Sequence, residues 1–314
     1  AASRRHAAAL RTAGALALGA VWAPVAAPAW GRRHPGLAEL HDLDVGQGDA
    51  VALRTPAGRW LLVDAGRVWR EADAGERTVV LWVRRRGGAV AALVLTHPHA
   101  DHVGGAATVL RRLRPGQLWD PGFVLGSSTY REVLEAARSV GVPWRRVAPG
   151  DSTVLDGVVV RVLAPDSAWT AGLDDPNLAS VVLGVRVGRV RFLLVGDAER
   201  PEEEWLLARA ARDPGVAEWL RADVLKVGHH GSATSSGAAF VAAVRPRLAV
   251  VSVGAGNTYG HPSAAVLRRL GDAGARVVRT DESGAVVVRT DGVMVTVEAG
   301  GERWTLPDAT PVAP

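Results

Sequence analysis

At 314 residues and 48% hydrophobic content, the chain can bury one large core or two ordinary ones, and it reads as a globular protein. It contains no cysteine, which excludes disulfides and thiolate metal sites. The formal charge is only +5 and Lys226 is the sole lysine, so the isoelectric point near 10.7 reflects heavy arginine usage and is a weak pointer to nucleic acid.

In chain order, "RRHAAALR" is followed by an uncharged stretch, residues 12–30, "TAGALALGAVWAPVAAPAW". Its length suits a membrane helix, although Pro24 and Pro28 weaken the second half, and a signal peptide has a similar layout. We expect residues 1–36 to be the end of a transmembrane helix and a linker, contacting the membrane. The arginine-rich flank then lies in the cytoplasm and the rest of the chain on the extracytoplasmic side of the cell membrane. From residue 37 the pattern is α/β. "LAELHDLDV", "AVALRT" and "RWLLVDAG" read as strands and "ERTVVLWVRRRG" as a helix, then "AVAALVLT" as a buried strand. "GGAATVLRRLRPG" and "SSTYREVLEAARSVG" follow as helices, the second with a Ser cap and a Gly stop. "GVVVRVLAP", "ASVVLGVRVG" and "RVRFLLVGD" are strands, the last two a hairpin around Gly188, and "RPEEEWLLARAARD" is a helix with acidic residues first. "ADVLKVGHH", a helix near 236–244, "RLAVVSVG", a helix near 263–273 and three closing strands complete residues 37–300, leaving 301–314 as a tail. Strand, loop, helix recurs in both halves, which predicts two mixed sheets packed face to face with helices outside.

The densest chemistry is "LTHPHADHVGG". His97 and His99 share a face of an extended segment, and Asp101 and His102 follow where the chain turns. Imidazole and carboxylate suit zinc, manganese or iron, and four such groups at this spacing are better served by two ions than by one. A capping role explains one such histidine, not three with an aspartate. Asp197 in "FLLVGDAE" is placed to bridge two ions, and His229 and His230 in "VLKVGHHGS" end another apolar strand. Asp64 in "LLVDAG" and Asp49 in "DVGQGDA" are candidates to orient ligating histidines from behind. Lys226, Ser232, Asn257, Tyr259 and His261 are of types that hold phosphate. His261 is also a candidate proton donor to a leaving oxygen, with Asp101 and Asp197 as its catalytic companions.

These stretches, with "NLASVVL", "GNTYGHPS" and "RTDESGAVVV", resemble the metallo-β-lactamase superfamily and, within it, the C-terminal domain of the ComEC family of DNA-uptake proteins, from about residue 38 to 297. The resemblance implies a four-layer αββα sandwich with two divalent ions, Mn²⁺ or Zn²⁺, at the sheet edges. It also implies a phosphodiesterase that degrades the DNA strand not imported during natural transformation. Its partners would be DNA, single-stranded or duplex, and the transmembrane channel portion of the same longer protein. A hydrolase of another phosphodiester or a lactam, and a non-catalytic DNA-binding channel wall, are the rival readings. One departure stands out. No histidine lies between His102 and His229, where the superfamily places a third ligand, so Asp174, Asp175, Asn177, Ser180 or water must substitute. We therefore expect a well-made site from Asp101, His102, Asp197 and one of His229 and His230, and a more open one on His97 and His99.

Overall fold

Side chains along a strand alternate between faces, and all four in Trp60–Val63 are buried. Trp60 and Leu62 join one apolar cluster, Leu61 and Val63 another. A strand covered on both faces lies inside a layered structure. Val190–Leu194 behaves alike: Val190, Phe192 and Leu194 share the core of Leu61 and Val63, while Leu193 packs with helix residues such as Phe240.

The computed structural model describes residues 36–70, 72–123 and 126–307, and within them these strands belong to two mixed sheets. The first runs Glu302–Thr305, Val295–Ala299, Val286–Thr290, Ala38–Asp42, Val51–Arg54, Trp60–Val63, Val90–Val94, Leu118–Asp120, Trp144–Arg146. The second runs Arg276–Arg279, Leu248–Val251, Val224–Lys226, Val190–Leu194, Val182–Val187, Val158–Ala164, Ser152–Leu155. Their facing surfaces enclose the central core. On the outer face of the first sheet pack Gly75–Val80, which continues as Leu81–Arg86, then Ala106–Leu113 and Ser128–Val140. Arg200–Ala210, Ala238–Val244 and Ala264–Asp272 cover the second. The order is helix, sheet, sheet, helix.

Local signals end these elements as the sequence suggests. The Ser127 hydroxyl accepts from the Tyr130 N–H at 3.1 Å, and Gly141 closes the helix with φ +72°. The acidic start of Arg200–Ala210 does more than complement the dipole. Glu202 and Glu203 are buried, and Glu203 accepts from the Ser236 and Gly237 N–H groups. Residues 301 onward are not simply a tail: Glu302–Thr305 pairs antiparallel with Val295–Ala299 and forms the edge of the first sheet. The apolar stretch 12–30 of the expected membrane segment, residues 1–36, lies outside the described residues, as do 308–314. Among the described residues no helix is long and apolar enough to cross a membrane.

Parallel strands set the site. Trp60–Val63 and Val90–Val94 run parallel, as do Val190–Leu194, Val224–Lys226 and Leu248–Val251. Their C-terminal ends release Asp64, His97, Asp197, the His229–His230 pair and Ser252, in the position where open α/β sheets form crevices.

Candidate metal centre

His97 leaves its strand completely buried, and the chain turns into the short helix Ala100–Val103 with His99 at its N-cap. The turn needs its glycines. A Cβ on Gly104 would lie 2.5 Å from the Ala100 carbonyl oxygen, and one on Gly105 would lie 2.4 Å from that of Ala65. Across the crevice, His229 and His230 both adopt left-handed backbone, φ +44° and +51°. For non-glycine residues this costs of order 1–3 kcal/mol each. Side-chain anchors hold it: His229 Nδ1 meets Glu199 Oε1 at 2.7 Å, and His230 Nδ1 donates to the Ser252 carbonyl at 2.9 Å.

Those anchors fix what the opposite ring nitrogens present. Because Nδ1–H of His230 is used by a carbonyl, a neutral ring turns a bare Nε2 lone pair inward. That lone pair faces Asp101 Oδ2 at 3.4 Å and Asp197 Oδ2 at 3.6 Å. His102 gives its Nδ1 to Asp64 Oδ2 at 2.8 Å, and its Nε2 lies 3.2 Å from Asp197 Oδ2. His229 Nε2 and His97 Nε2 approach the same oxygen at 3.8 and 3.9 Å. Acceptors thus converge on an acceptor. His102 Nε2, His230 Nε2 and Asp197 Oδ1 are buried without hydrogen-bond partners. Only positive charge, as protons or as metal ions, makes that arrangement stable.

Without metal, protons take that place. Burial lowers the His230 pKa, but Asp197 and Asp49 outweigh it and push the ring up to about 10. His102 is likewise held well above the ordinary range, against burial, by Asp197 and Asp64. Burial raises Asp197, and the charges of His102 and His230 overcome this to hold it well below the usual carboxylate range. His97 goes the other way, driven well down by burial and then by the charge of His102.

The donor sets fit divalent ions. Ligand atoms of His97, His102 and Asp197 lie within 4.8 Å of one another, as do those of Asp101, His102 and His230 and those of Asp49, Asp197 and His230. These sets overlap through His102 and Asp197 and would hold two ions side by side. His230 belongs to two of these sets and His229 to none, although the latter's Nε2 is near Asp197. His99 stands at the rim, with Nδ1 3.0 Å from His97 Nε2.

A second layer backs the ligands. Asp64 is locked by the Thr96 N–H at 2.8 Å and hydroxyl at 2.6 Å, so it can only aim at His102. Asp49 lies 3.3 Å from His230 Nδ1 and 3.8 Å from His102 Nδ1, and it pairs with the buried ammonium of Lys226. Burial raises Asp49, but Lys226 and the two histidines bring it down to about 2. Lys226 is 2% exposed, so it neutralises Asp49 and does not reach a substrate phosphate as its residue type suggested. Ser232 is buried too, bonded to Thr234 at 2.8 Å. The Asn257 amide is consumed by its own turn, donating to the carbonyls of Gly254 and His261 and accepting from the N–H groups of Tyr259 and His261. Of the five proposed phosphate partners, only Tyr259 and His261 face outward; they stack at 6.0 Å, with His261 5.5 Å from the His229 ring.

Where the third histidine is missing, Ser180 turns its hydroxyl to accept from the Asp197 N–H at 3.1 Å. Asn177 is buried with its Oδ1 unpartnered, whereas Asp175 caps the turn Pro176–Ala179 and Asp174 is exposed. Four contributors escaped the sequence reading: Thr96, Glu199, Ser252 and Asp42. Asp42 accepts from the Ser252 hydroxyl at 2.7 Å, and burial and then Asp49 raise it to about 7. Glu199, two residues beyond Asp197, had a sequence signal in its spacing; a backbone carbonyl such as that of Ser252 has none.

Residues 43–255 match the family described as the metallo-beta-lactamase superfamily. The chain belongs to this superfamily. Its fold holds divalent metal ions, usually two. Like other members, this metallo-β-lactamase-fold chain has relatives among both curated proteins and solved structures. It is 33% identical to ComE operon protein 3 of Bacillus subtilis over 257 residues, 78% of this chain and 32% of that protein. It is 34% identical to Competence protein ComA of Neisseria gonorrhoeae, covering 76% of this chain and 30% of that one. Both are ComEC-family competence proteins, and the chain spans about a third of their length. Igni18, a metallo hydrolase from Ignicoccus hospitalis, superposes with a TM-score of 0.51 at 14% identity, over 80% of this chain and 98% of that one, a likeness of fold.

Proposed function

We propose that this metal-dependent hydrolase domain cleaves phosphodiester bonds of DNA and, within a longer ComEC-type protein, degrades the strand that is not taken up. The convergence of imidazole lone pairs on Asp197 carries the reading, because it demands cations at the mouth of a crevice. Bound there, two divalent ions supply charge that acidifies water towards neutral pH and offsets charge on a phosphodiester. The chain's own residues do the rest. Asp101 is partly exposed, and although burial raises its pKa, the nearby His230 ring and the charge of His102 hold it below the usual carboxylate range, so it is ionised and can take up a proton. Burial and then the nearby His229 and His230 lower the His261 pKa, so its ring is neutral at pH 7. A ring that is neutral at pH 7 does not hold phosphate as a fixed cation, and it passes a proton to a leaving oxygen only after taking one up from the attacking water.

The likeness to ComEC-family competence proteins, which the sequence resembles as a family of DNA-uptake proteins, supports DNA as substrate, and the mixed nitrogen and oxygen donor set suits Mn²⁺ as well as Zn²⁺. The place of action would be the extracytoplasmic side of the cell membrane, beside the channel portion of the same polypeptide. The decisive experiment strips the protein of metal and offers end-labelled single- and double-stranded DNA with Mn²⁺, Zn²⁺ or Mg²⁺ restored in turn. Cleavage that returns with metal and is absent in Asp101→Ala and Asp197→Ala is the expected result. No cleavage with any ion, with salt-sensitive DNA binding retained in both variants, overturns the reading in favour of a channel wall.

A further inference from the structure

Beside the metal centre lies a cavity of about 330 Å³ that none of the ligands fills. Its volume sits at the small end of ligand pockets, which run from about 300 to 1,000 Å³, so it has room for one base and no room for a duplex. One wall is the loop Asp44–Gln47; the other is the pair of short strands Val68–Trp69 and Ala72–Asp73 with the start of the next helix. Both walls are built onto the metal-binding turn. The Asp49 N–H donates to the Asp101 carbonyl, and a Cβ on Gly48 would lie 2.2 Å from that oxygen. On the other side, Gly104 lies so close to Val68 that a Cβ there would be 2.6 Å from its nitrogen.

Two features of the lining ask for an occupant. Trp69 is 57% exposed, the highest exposure of any tryptophan among the large exposed hydrophobics, on a surface where most of its kind are at least half covered. The Arg67 guanidinium sits 4.7 Å over the Trp69 ring, yet its Nε is buried without a hydrogen-bond partner. A buried donor left unpaired is costly, and an acceptor brought by an occupant would relieve that cost. Asp73, also in the lining, is already occupied by the Thr108 hydroxyl and the Glu76 N–H, and so presents little free charge.

We propose that this cavity is a nucleotide subsite: it takes one base of the strand being cut, stacked on Trp69, with Arg67 donating to the adjoining phosphate. Stacking is indifferent to base identity because every base has a π-face, so the subsite selects unpaired strand over duplex and not one sequence over another. Its occupant must be single-stranded where it enters, since a paired base cannot present its face to a side chain. This inference rests on the phosphodiesterase reading, and the test separates the two.

The test uses the metal-loaded full chain and single-stranded oligonucleotides carrying one abasic residue at successive positions. With the unmodified protein, an abasic residue at one or two positions next to the cut should raise KM about tenfold, the scale of one base–aromatic stack. Trp69→Ala should erase the difference between abasic and intact strands, and Trp69→Phe should restore it. Arg67→Ala should weaken both strands alike and reduce the salt slope of binding by about one. A base dependence that is the same in Trp69→Ala and the unmodified protein overturns the subsite. If no ion restores cleavage, the same series is read as Kd by fluorescence anisotropy. Trp69-dependent binding would then keep the subsite while the phosphodiesterase reading falls, and Trp69-independent binding would remove both.

Discussion

Two of the buried charged clusters, one around Glu39 and one around Asp197, are finished differently. In the first, Glu39 accepts from Arg289 at 3.2 Å and meets His41 Nε2 at 3.1 Å, while Arg289 reaches on to Glu298 at 2.7 Å. His41 is cushioned by Trp60 and Trp82, at 5.4 and 5.7 Å. Donor meets acceptor at each of these contacts, although His41 Nδ1 and Trp82 Nε1 beside them are buried without a partner. Around Asp197 the contacts are acceptor against acceptor, on a backbone strained at two successive histidines. Burial alone therefore does not mark a functional site. The mark is a buried polar cluster in which acceptors face one another.

Removing Asp197 should break this contrast most severely. Asp197 belongs to two of the candidate ligand sets, so Asp197→Ala should lose bound metal and any metal-dependent hydrolysis to the detection limit. Metal analysis of the purified variant checks the first and turnover the second. If Asp197→Ala retains two ions per chain, the convergence described here is not a metal centre.

In the first cluster, Glu39→Ala strands the buried His41 and leaves Arg289 with Glu298 alone. Breaking a buried ion pair from one side costs about 3–5 kcal/mol, and denaturant unfolding should show this loss while metal affinity stays unchanged. A matching fall in metal affinity would mean that the two clusters are energetically one.

A smaller effect is expected from Asp64→Asn. The side chain sits behind His102 and touches no ion position alone, and loss of such a support typically costs 10–100-fold in metal affinity. Competition with a chromophoric chelator measures it. An affinity equal to that of the unmodified protein would show that Thr96 and the backbone orient His102 without Asp64.

How much of this was legible in the sequence follows from the kind of signal each feature leaves. The double sandwich was readable because strands such as Trp60–Val63 are apolar throughout and the helices between them carry caps and stops. The short strands Leu118–Asp120, Trp144–Arg146 and Glu302–Thr305 were not, because three or four residues are too few for a period and their pairing is decided by neighbours remote in sequence. The histidines and aspartates stood out by crowding. Lys226 misled for a physical reason: an ammonium beside a metal-type loop suits phosphate equally well, and only the position of Asp49, far away in the chain, turns it inward. The carbonyl of Ser252 leaves no mark in any sequence, since every residue has one.

The pH response separates the clusters by the least amount but in the most characteristic way. Glu39 is raised by burial and lowered more by His41 and Arg289, to about 2 from 4.5. Its contribution is therefore present above pH 4.5 and is lost as pH falls towards 2. His230 has the opposite sign. Its pKa of about 10 in the metal-free fold lies above the ordinary 6.5, so its contribution is full below pH 6.5 and fades as pH rises towards 10. Asp49, at about 2, adds an acid limb to the metal cluster as well, so only the alkaline limb distinguishes the two. Ions replace those protons. The metal-free protein should therefore lose melting temperature between pH 7 and 9, the metal-loaded protein should lose less, and metal binding at pH 7 should release protons. Thermal scans across that range, with calorimetric titration in two buffers of different ionisation enthalpy, measure both. Equal alkaline limbs with and without metal, or binding without proton release, would show that protons do not hold the place of the ions at Asp197.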